Sequence, residues 1–222
     1  MSTTDAEHFD QARKMMVDSQ LRPNKVSDAA LLAAFRRLPR EAFLPADLVA
    51  RAYADEAVRL PGGRAMLQPM VLARLIQAAD IVAGERVLVV GAGTGYGTAV
   101  IAASGAHVVA VEQDAALLEI LRPALATHAP GVQVIAGKLA EGYAASAPYD
   151  CIFIEGAAEQ IPPGLAAQLA ASGRVAAIRH QAGPVWQGAI GRLSGDALSF
   201  QALFDCSAQL LPGLERHKSF AL

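Results

Sequence analysis

Short apolar runs alternate with helix-compatible segments from residue 86 onward. Runs of strand length cover residues 87–90, 107–111, 132–135, 149–154 and 174–178. Helix-compatible segments cover residues 96–103, the stretch after 114 and residues 162–169. The first apolar run is uninterrupted, which is typical of a parallel strand buried on both faces. The alternation predicts an α/β fold with a Rossmann-like, doubly wound, mostly parallel sheet that binds ligands at the carboxyl ends of its strands.

The first part of the chain has a different pattern, with apolar residues at helical spacing. Ser27 is expected to be the N-cap of a helix over 29–35, and Pro39 is expected to end it. We therefore expect an N-terminal helical segment, residues 1–60, that packs on the core of the protein.

An irregular linker, residues 52–68, follows and is rich in glycine and small residues. Gln68 and Pro69 then begin a further helix, because proline needs no N–H in the first helical turn. Near the carboxyl end, two β-like runs at 185–193 and 198–204 predict a hairpin with its turn at Gly195. We expect residues 61–222 to form the Rossmann-like domain, in one structural unit with the N-terminal segment.

Composition narrows the classes of partner. Apolar residues make up 53% of the chain and aromatic residues 5%, which favours an α/β interior over an all-β sandwich. The net charge of −2 offers no basic surface for nucleic acid. Two cysteines without metal-ligand spacing predict no metal site and fit a reducing cytoplasm. The polar N-terminus does not resemble a signal peptide, and no apolar run approaches the ~20 residues of a membrane span.

A glycine-rich turn follows the first apolar run and carries the main functional signal. Gly91, Gly93 and Gly95 allow a sharp turn after the strand and close approach of a ligand to the backbone. Glu112 ends the next strand, where a carboxylate can accept hydrogen bonds from both ribose hydroxyls of a nucleotide. The two features together predict a nucleoside-containing cofactor.

The order of the glycines distinguishes two cofactors. Dinucleotides require Gly-x-Gly-x-x-Gly, whereas here Gly95 is followed at once by Tyr96, which leaves less room for a pyrophosphate. This order suits S-adenosylmethionine, which has no phosphate. A nicotinamide dehydrogenase is the alternative enzyme, but the sequence shows no tyrosine–lysine pair for hydride chemistry.

Several ordered motifs resemble the protein-L-isoaspartate O-methyltransferase family. They lie at residues 16–22, 38–45 (LPREAFLP), 52–55, 68–69, 90–96 (VGAGTGY) and 154–162 (IEGAAEQIP). The resemblance implies a class I methyltransferase that moves a methyl group from S-adenosylmethionine, leaving S-adenosylhomocysteine, to the α-carboxyl of isoaspartyl residues in damaged protein. The implied cofactor-binding residues are Gly91, Ala92, Gly93, Thr94, Gly95, Tyr96, Glu112, Gln113, Lys138 and Leu139. Glu155 and Gln68 are the candidate catalytic residues.

The chain departs from the family pattern at four polar positions. Leu67 replaces an active-site serine, and Val89 replaces an acid that helps to fix the amino group of the cofactor. Lys138 replaces an aspartate that faces the adenine amine, and Glu155 replaces a threonine. Three functions remain open: the family reaction, methylation of a different acceptor, or a scaffold that has lost catalysis and serves as a binding module.

Overall fold

The computed structural model describes residues 3–180, 185–195 and 197–216. Its helices are α1 (Thr3–Met16), α2 (Ala29–Arg37), α3 (Pro69–Ala79), α4 (Tyr96–Ala102), α5 (Ala115–His128) and α6 (Pro163–Ala166). Its strands are β1 (Val58–Arg59), β2 (Ala65–Met66), β3 (Arg86–Val90), β4 (His107–Glu112), β5 (Gln133–Ala136), β6 (Tyr149–Ala157), β7 (Leu169–His180), β8 (Trp186–Ser194) and β9 (Ala197–Cys206). The predicted N-terminal segment includes residues 1–2, and the predicted Rossmann-like domain includes residues 217–222. These residues lie outside the described part of the chain.

Seven strands form the central sheet in the order β5-β4-β3-β6-β7-β8-β9. The five strands from β5 to β7 are parallel, whereas β8 and β9 are antiparallel additions at one side. This confirms the predicted α/β class and the C-terminal hairpin, whose turn residue Gly195 has a φ of 62°. The chain adds β4 and β5 on one side of β3 and then crosses to add β6 on the other side. The carboxyl ends of β3, β4 and β6 therefore meet at the point where a doubly wound sheet binds ligands.

Alternate residues of the central strands enter two separate cores. In β3, Val87 and Val89 pack on one face, whereas Leu88 and Val90 pack on the other. Helices α2 to α5 cover the first face, and α6 with the C-terminal segment covers the second. Burial on both faces explains why the strand sequence is continuously apolar and does not alternate with polar residues.

The N-terminal segment is helical, as predicted, and packs on the first face of the sheet. Helix α1 continues through a π-helical turn, Val17–Leu21, and α2 begins at Ala29, as expected. Its N-cap is not Ser27, however: the side chain of Asp28 accepts a hydrogen bond from Leu31 N at 2.8 Å and takes that role.

The second half of the chain differs from the predicted bounds in two places. Strand β6 continues through Ala157, so Glu155 lies within the strand and not at its end. The helix expected over 162–169 stops at Ala166, because Leu169 instead pairs with Tyr149 and opens β7. Hydrogen bonds to the sheet therefore take the place of the backbone hydrogen bonds that a longer helix would have formed.

The linker expected over 52–68 contains a small hairpin. Strands β1 and β2 pair Val58 with Met66 and Arg59 with Ala65, and a turn at Pro61–Gly63 joins them. We call residues 58–66 the hairpin. Two-residue strands give little pattern in a sequence, which explains why this element was not predicted.

Arg174 of β7 connects distant parts of the fold. Its guanidinium pairs with Glu85 at 2.7 Å and donates to the backbone oxygens of Ala79, Asp80 and Asp150. These contacts satisfy carbonyl groups at the end of α3 that have no partner within the helix. No helix in the described part of the chain is long and apolar enough to cross a membrane.

We expect Arg174→Met to lower the free energy of unfolding by about 2–3 kcal/mol, because it leaves Glu85 and several carbonyl oxygens without their charged donor. The value falls below that of a wholly buried pair because Glu85 keeps 20% of its side chain in water. Urea denaturation followed by circular dichroism would measure the change. The control is Arg86→Ala at an exposed strand position; equal effects of the two substitutions would contradict this role of Arg174.

Candidate functional site

The glycine turn connects β3 to α4 at the carboxyl edge of the sheet. Gly91, Gly93 and Gly95 have φ values of 76°, 59° and 96°, all in the left-handed region that favours glycine. The amides of Gly91 and Ala92 donate to Val111 O of the neighbouring strand β4, at 3.0 and 3.2 Å. The predicted sharp turn is therefore present, and the sheet fixes its position.

Glu112 lies at the end of β4, is fully buried and faces this turn. Its Oε2 accepts from Gly93 N at 2.8 Å. Its Oε1 accepts from the amides of Gln113 and Asp114, at 2.8 and 3.0 Å. One carboxylate thus joins the glycine turn to the residues that precede α5.

A fourth donor to Glu112 comes from the hairpin. Arg64 Nη1 donates to Glu112 Oε1 at 2.8 Å, and Arg64 Nη2 donates to Gly91 O at 3.0 Å. The side chains are 4% and 0% exposed, so the ion pair is buried. The guanidinium therefore binds the same carboxylate that the sequence analysis assigned to a ribose.

Two leucines pack on the same turn. A Cβ atom built at Gly91 would lie 2.7 Å from Leu211 Cδ1, and one at Gly93 would lie 4.0 Å from Leu60 Cδ1. Leu211 belongs to the C-terminal segment and Leu60 to the hairpin. The turn therefore lies against side chains of the C-terminal segment and of the hairpin.

The other predicted cofactor residues lie around this turn with different exposures. Gln113 follows Glu112, and its Oε1 accepts from Leu139 N at 3.3 Å, which places Leu139 next to it. Lys138 extends into solvent and pairs with Glu141 at 2.9 Å. Tyr96 begins α4, but its ring packs against Phe35 and Phe43 in the N-terminal core.

Glu155 lies one strand away in β6, beside the beginning of α4. A Cβ atom at Gly97 would lie 2.5 Å from Glu155 Oε2, so the absence of a side chain there makes room for the carboxyl. Burial raises the pKa of Glu155 to about 8, although the charges of Arg40 and Arg64 and the Gly97 amide act in the opposite direction. A pKa near 8 favours the protonated carboxyl at neutral pH, and the candidate catalytic role of Glu155 stays a prediction.

Arg40 is the charged neighbour of Glu155 on the N-terminal side. It is completely buried, and its Nε and Nη2 donate to Ala52 O at 2.8 Å and Leu67 O at 2.6 Å. Its guanidinium also lies 4.9 Å from the centre of the Tyr96 ring. Burial lowers the pKa of Arg40.

Several buried polar atoms near the turn have no hydrogen-bond partner among the described residues. They are Arg40 Nη1, Arg64 Nε, Thr94 Oγ1, Tyr96 OH, Thr98 Oγ1 and Glu155 Oε2. Buried polar atoms in native proteins are nearly always paired, with water or ligand where protein groups are lacking. This concentration of unpaired atoms around one turn is typical of a polar ligand site.

The second candidate catalytic residue lies farther from the turn. Gln68 is half-buried and donates to the backbone and side chain of Asp55 at 3.1 and 2.9 Å. Its neighbour Leu67, which the sequence motifs align with a serine, is 1% exposed and belongs to the core. The described residues contain no group of side chains that could hold a metal ion.

Comparison with known proteins identifies the family to which this arrangement belongs. Residues 11–182 match the family model of protein-L-isoaspartate(D-aspartate) O-methyltransferase. A Methylorubrum populi protein-L-isoaspartate O-methyltransferase is 42% identical over 166 residues, which cover 75% of this chain and 78% of the relative. The chain belongs to the protein-L-isoaspartate O-methyltransferase family. The resemblance seen in the sequence motifs is thereby confirmed.

Solved structures agree with this membership at the level of the fold. One protein-L-isoaspartate O-methyltransferase superposes with a TM-score of 0.79 at 24% identity, covering 91% of this chain and 67% of its own. A Plasmodium falciparum structure, described as a β-aspartate methyltransferase in complex with S-adenosyl-L-homocysteine, gives 0.74 at 17% identity, with coverages of 90% and 97%. Both support the class I methyltransferase architecture.

Two residues of this family member were missed by the sequence analysis. The sequence places Arg64 only within an irregular linker, and Arg40 only within a motif of the family. A single arginine in a glycine-rich stretch gives no periodic signal, and both arginines reach the site through contacts distant in sequence. Spatial proximity to Glu112 and Glu155 is what reveals them.

We expect Gly97→Ala to destabilise the protein by roughly 1–3 kcal/mol, because the added methyl group would overlap the Glu155 carboxyl. In an ordinary helix the same change stabilises by about 0.5–1 kcal/mol. Adding Glu155→Ala should restore stability, and denaturant unfolding of both single variants and the double variant would measure the coupling. Additive effects would show that the two positions do not touch.

The raised pKa of Glu155 makes stability depend on pH. The carboxyl contributes stability that is fully present below its unfolded pKa of 4.5 and is lost as pH rises through about 8. Between these values we expect wild-type stability to fall relative to Glu155→Gln, with a slope of at most about 1.4 kcal/mol per pH unit. Urea unfolding at a series of pH values tests this, and a constant difference between the two proteins would refute it.

Proposed function

We propose that this protein transfers a methyl group from S-adenosylmethionine to a carboxylate of a protein substrate, with isoaspartyl residues as the acceptor class. The contact that carries the proposal joins Gly93 N to Glu112 Oε2 at 2.8 Å. It brings the glycine turn of β3 and the acidic end of β4 to one point, which is the arrangement that a nucleoside cofactor requires. Family membership of relatives named for this reaction supports the same conclusion.

The residues beside the turn suit the ribose of a nucleoside cofactor better than they suit its adenine. Glu112 provides the carboxylate for ribose hydroxyls, and the unpaired Thr94 Oγ1 provides a further polar group. Val89, by contrast, has no polar atom in its side chain, and Lys138 is a donor directed toward Glu141. In the proposal residues 91–96 and 112–113 hold the cofactor, whereas Lys138 and Leu139 contribute through their backbone.

Bound S-adenosylmethionine would supply a methyl group activated by its positive sulfur. An acceptor carboxylate is already ionised at neutral pH, so the chain has to position it and exclude water and needs no base. The protonated Glu155 suits this requirement as a hydrogen-bond donor. Arg40 beneath it adds positive charge that favours an anionic acceptor.

A surface cleft beside the hairpin is the proposed binding place for the protein substrate. Its volume is about 530 Å³, and its lining is Arg51, Glu56, Ala57, Arg59, Ala65 and Gln209. Arg59 suits a carboxylate of an isoaspartyl peptide, whereas Arg51 is paired with Glu56. Gln209 also accepts a hydrogen bond from Ala157 N at 2.8 Å through its backbone oxygen, so the cleft lies near the carboxyl end of β6.

A second candidate function is a binding module without methyl transfer. It is favoured by the buried contact of Arg64 with Glu112, which fills the ribose position from within. Loss of two hydrogen-bonded cofactor contacts, at Val89 and Lys138, would weaken binding by roughly tenfold to ten-thousandfold if nothing compensates. This function retains the fold and the acceptor cleft but assigns no role to a methyl donor.

Two general features belong to the proposal. We place the protein in the cytoplasm, which suits its unpaired cysteines, Cys151 and Cys206. We also treat residues 1–60 and 61–222 as one structural unit, because helices of the first segment share a core with the sheet of the second.

The proposed reaction is tested by transfer of labelled methyl from S-adenosylmethionine to an isoaspartyl peptide. We expect weak but enzyme-dependent methyl ester formation by the wild type. Leu67→Ser should raise kcat/KM by roughly tenfold, because it restores a hydroxyl worth about one hydrogen bond at the acceptor. Leu67→Ala is the matched control, since it removes the same bulk without adding a hydroxyl. Absence of methyl incorporation by the wild type and Leu67→Ser alike would reject the isoaspartyl reaction.

A further inference from the structure

Arg64 occupies the position at Glu112 that the proposed function assigns to the ribose of the cofactor. Its guanidinium spans from Glu112 Oε1, at 2.8 Å, to Gly91 O, at 3.0 Å. These are the two strand ends between which the nucleoside would lie. We propose that Arg64 is an internal competitor of S-adenosylmethionine, and that the hairpin has to withdraw before the cofactor can bind. This inference rests on the proposed function, because it concerns the same site.

The hairpin is shaped to place Arg64 there. Its turn is closed by a hydrogen bond from Leu60 N to Arg64 O at 2.8 Å. Gly62 has a φ of 67°, and a Cβ atom at this residue would overlap Asp114 Oδ2, so the turn rests directly on the first residue before α5. The hairpin therefore contacts the glycine turn, the end of β4 and the beginning of α5 together.

The contacts also allow Arg64 to leave. Glu112 keeps three amide donors when the guanidinium departs, from Gly93, Gln113 and Asp114. Arg64 Nε has no hydrogen-bond partner among the described residues, and transfer to water would provide one. Only two residue pairs join β1 to β2, so the hairpin has little backbone pairing of its own. A ligand can therefore replace Arg64 while the Glu112 carboxylate still accepts hydrogen bonds from three amides.

Competition of this kind lowers the apparent affinity in a defined way. A ligand that binds only the open hairpin has an apparent Kd equal to its intrinsic Kd divided by the open fraction. Removing the guanidinium raises the open fraction. The three amides that donate to Glu112 remain in place. Cofactor affinity should therefore increase when Arg64 is replaced, whereas a residue that only supports the fold would leave affinity unchanged or reduce it.

Titration calorimetry with S-adenosylhomocysteine on the full chain tests the proposal. We expect Arg64→Ala to bind at least tenfold more tightly than the wild type. Arg64→Gln should shift affinity in the same direction, and it preserves most of the side-chain volume if the alanine variant folds poorly. Arg122→Ala, at an exposed position of α5, is the control and should bind within twofold of the wild type. Thermal unfolding without ligand verifies that each variant is folded.

The outcomes separate this inference from the proposed function. If the wild type binds and neither Arg64 variant gains affinity, Arg64 is a structural residue and the competitor role is overturned, while the methyltransferase proposal stands. If no variant binds at millimolar ligand, cofactor binding itself is refuted, and both proposals fail in favour of a binding module. Tighter binding by both Arg64 variants, with an unchanged control, supports the competitor role.

Discussion

The arrangement of the site depends on the burial of one carboxylate. Glu112 is completely enclosed, and such a group must receive hydrogen bonds from all sides. The amides of Gly93, Gln113 and Asp114 provide them, so the glycine turn and the beginning of α5 are held at fixed positions around its two oxygens. Arg64 joins the hairpin to the same group. The glycine turn and the beginning of α5 are therefore fixed by a single residue, and Arg64 is the donor that can leave it.

A second buried carboxyl depends on the space and the charge around it. Gly97 has no side chain and leaves the space that Glu155 needs. Burial makes the neutral form favourable, and Arg40 lies near enough to limit that preference. The space at Gly97 and the nearby charge of Arg40 together accommodate the buried carboxyl.

Local patterns in the sequence predicted the parts of the structure that depend on local forces. The strand before Gly91, the glycine turn and the acidic end of β4 follow from apolar runs and backbone freedom, and all three are present. The length of α6 was wrong because Leu169 pairs with Tyr149 of the sheet, which is a tertiary choice. Arg64 could not be predicted, since it lies 48 residues from Glu112 in sequence and no periodicity links them. Family motifs located Glu155, but only its surroundings explain its protonation.

The contacts of Arg174 have a consequence for the synthesis of the chain. The carbonyl oxygens at the end of α3 and the carboxylate of Glu85 receive their donor from β7, about ninety residues later in sequence. A nascent chain that has emerged only as far as β6 therefore presents these groups to water. The edge of the sheet next to β6 is also open at that stage, because β7 is its neighbour. The contacts of the first half are therefore completed only once β7 has left the ribosome.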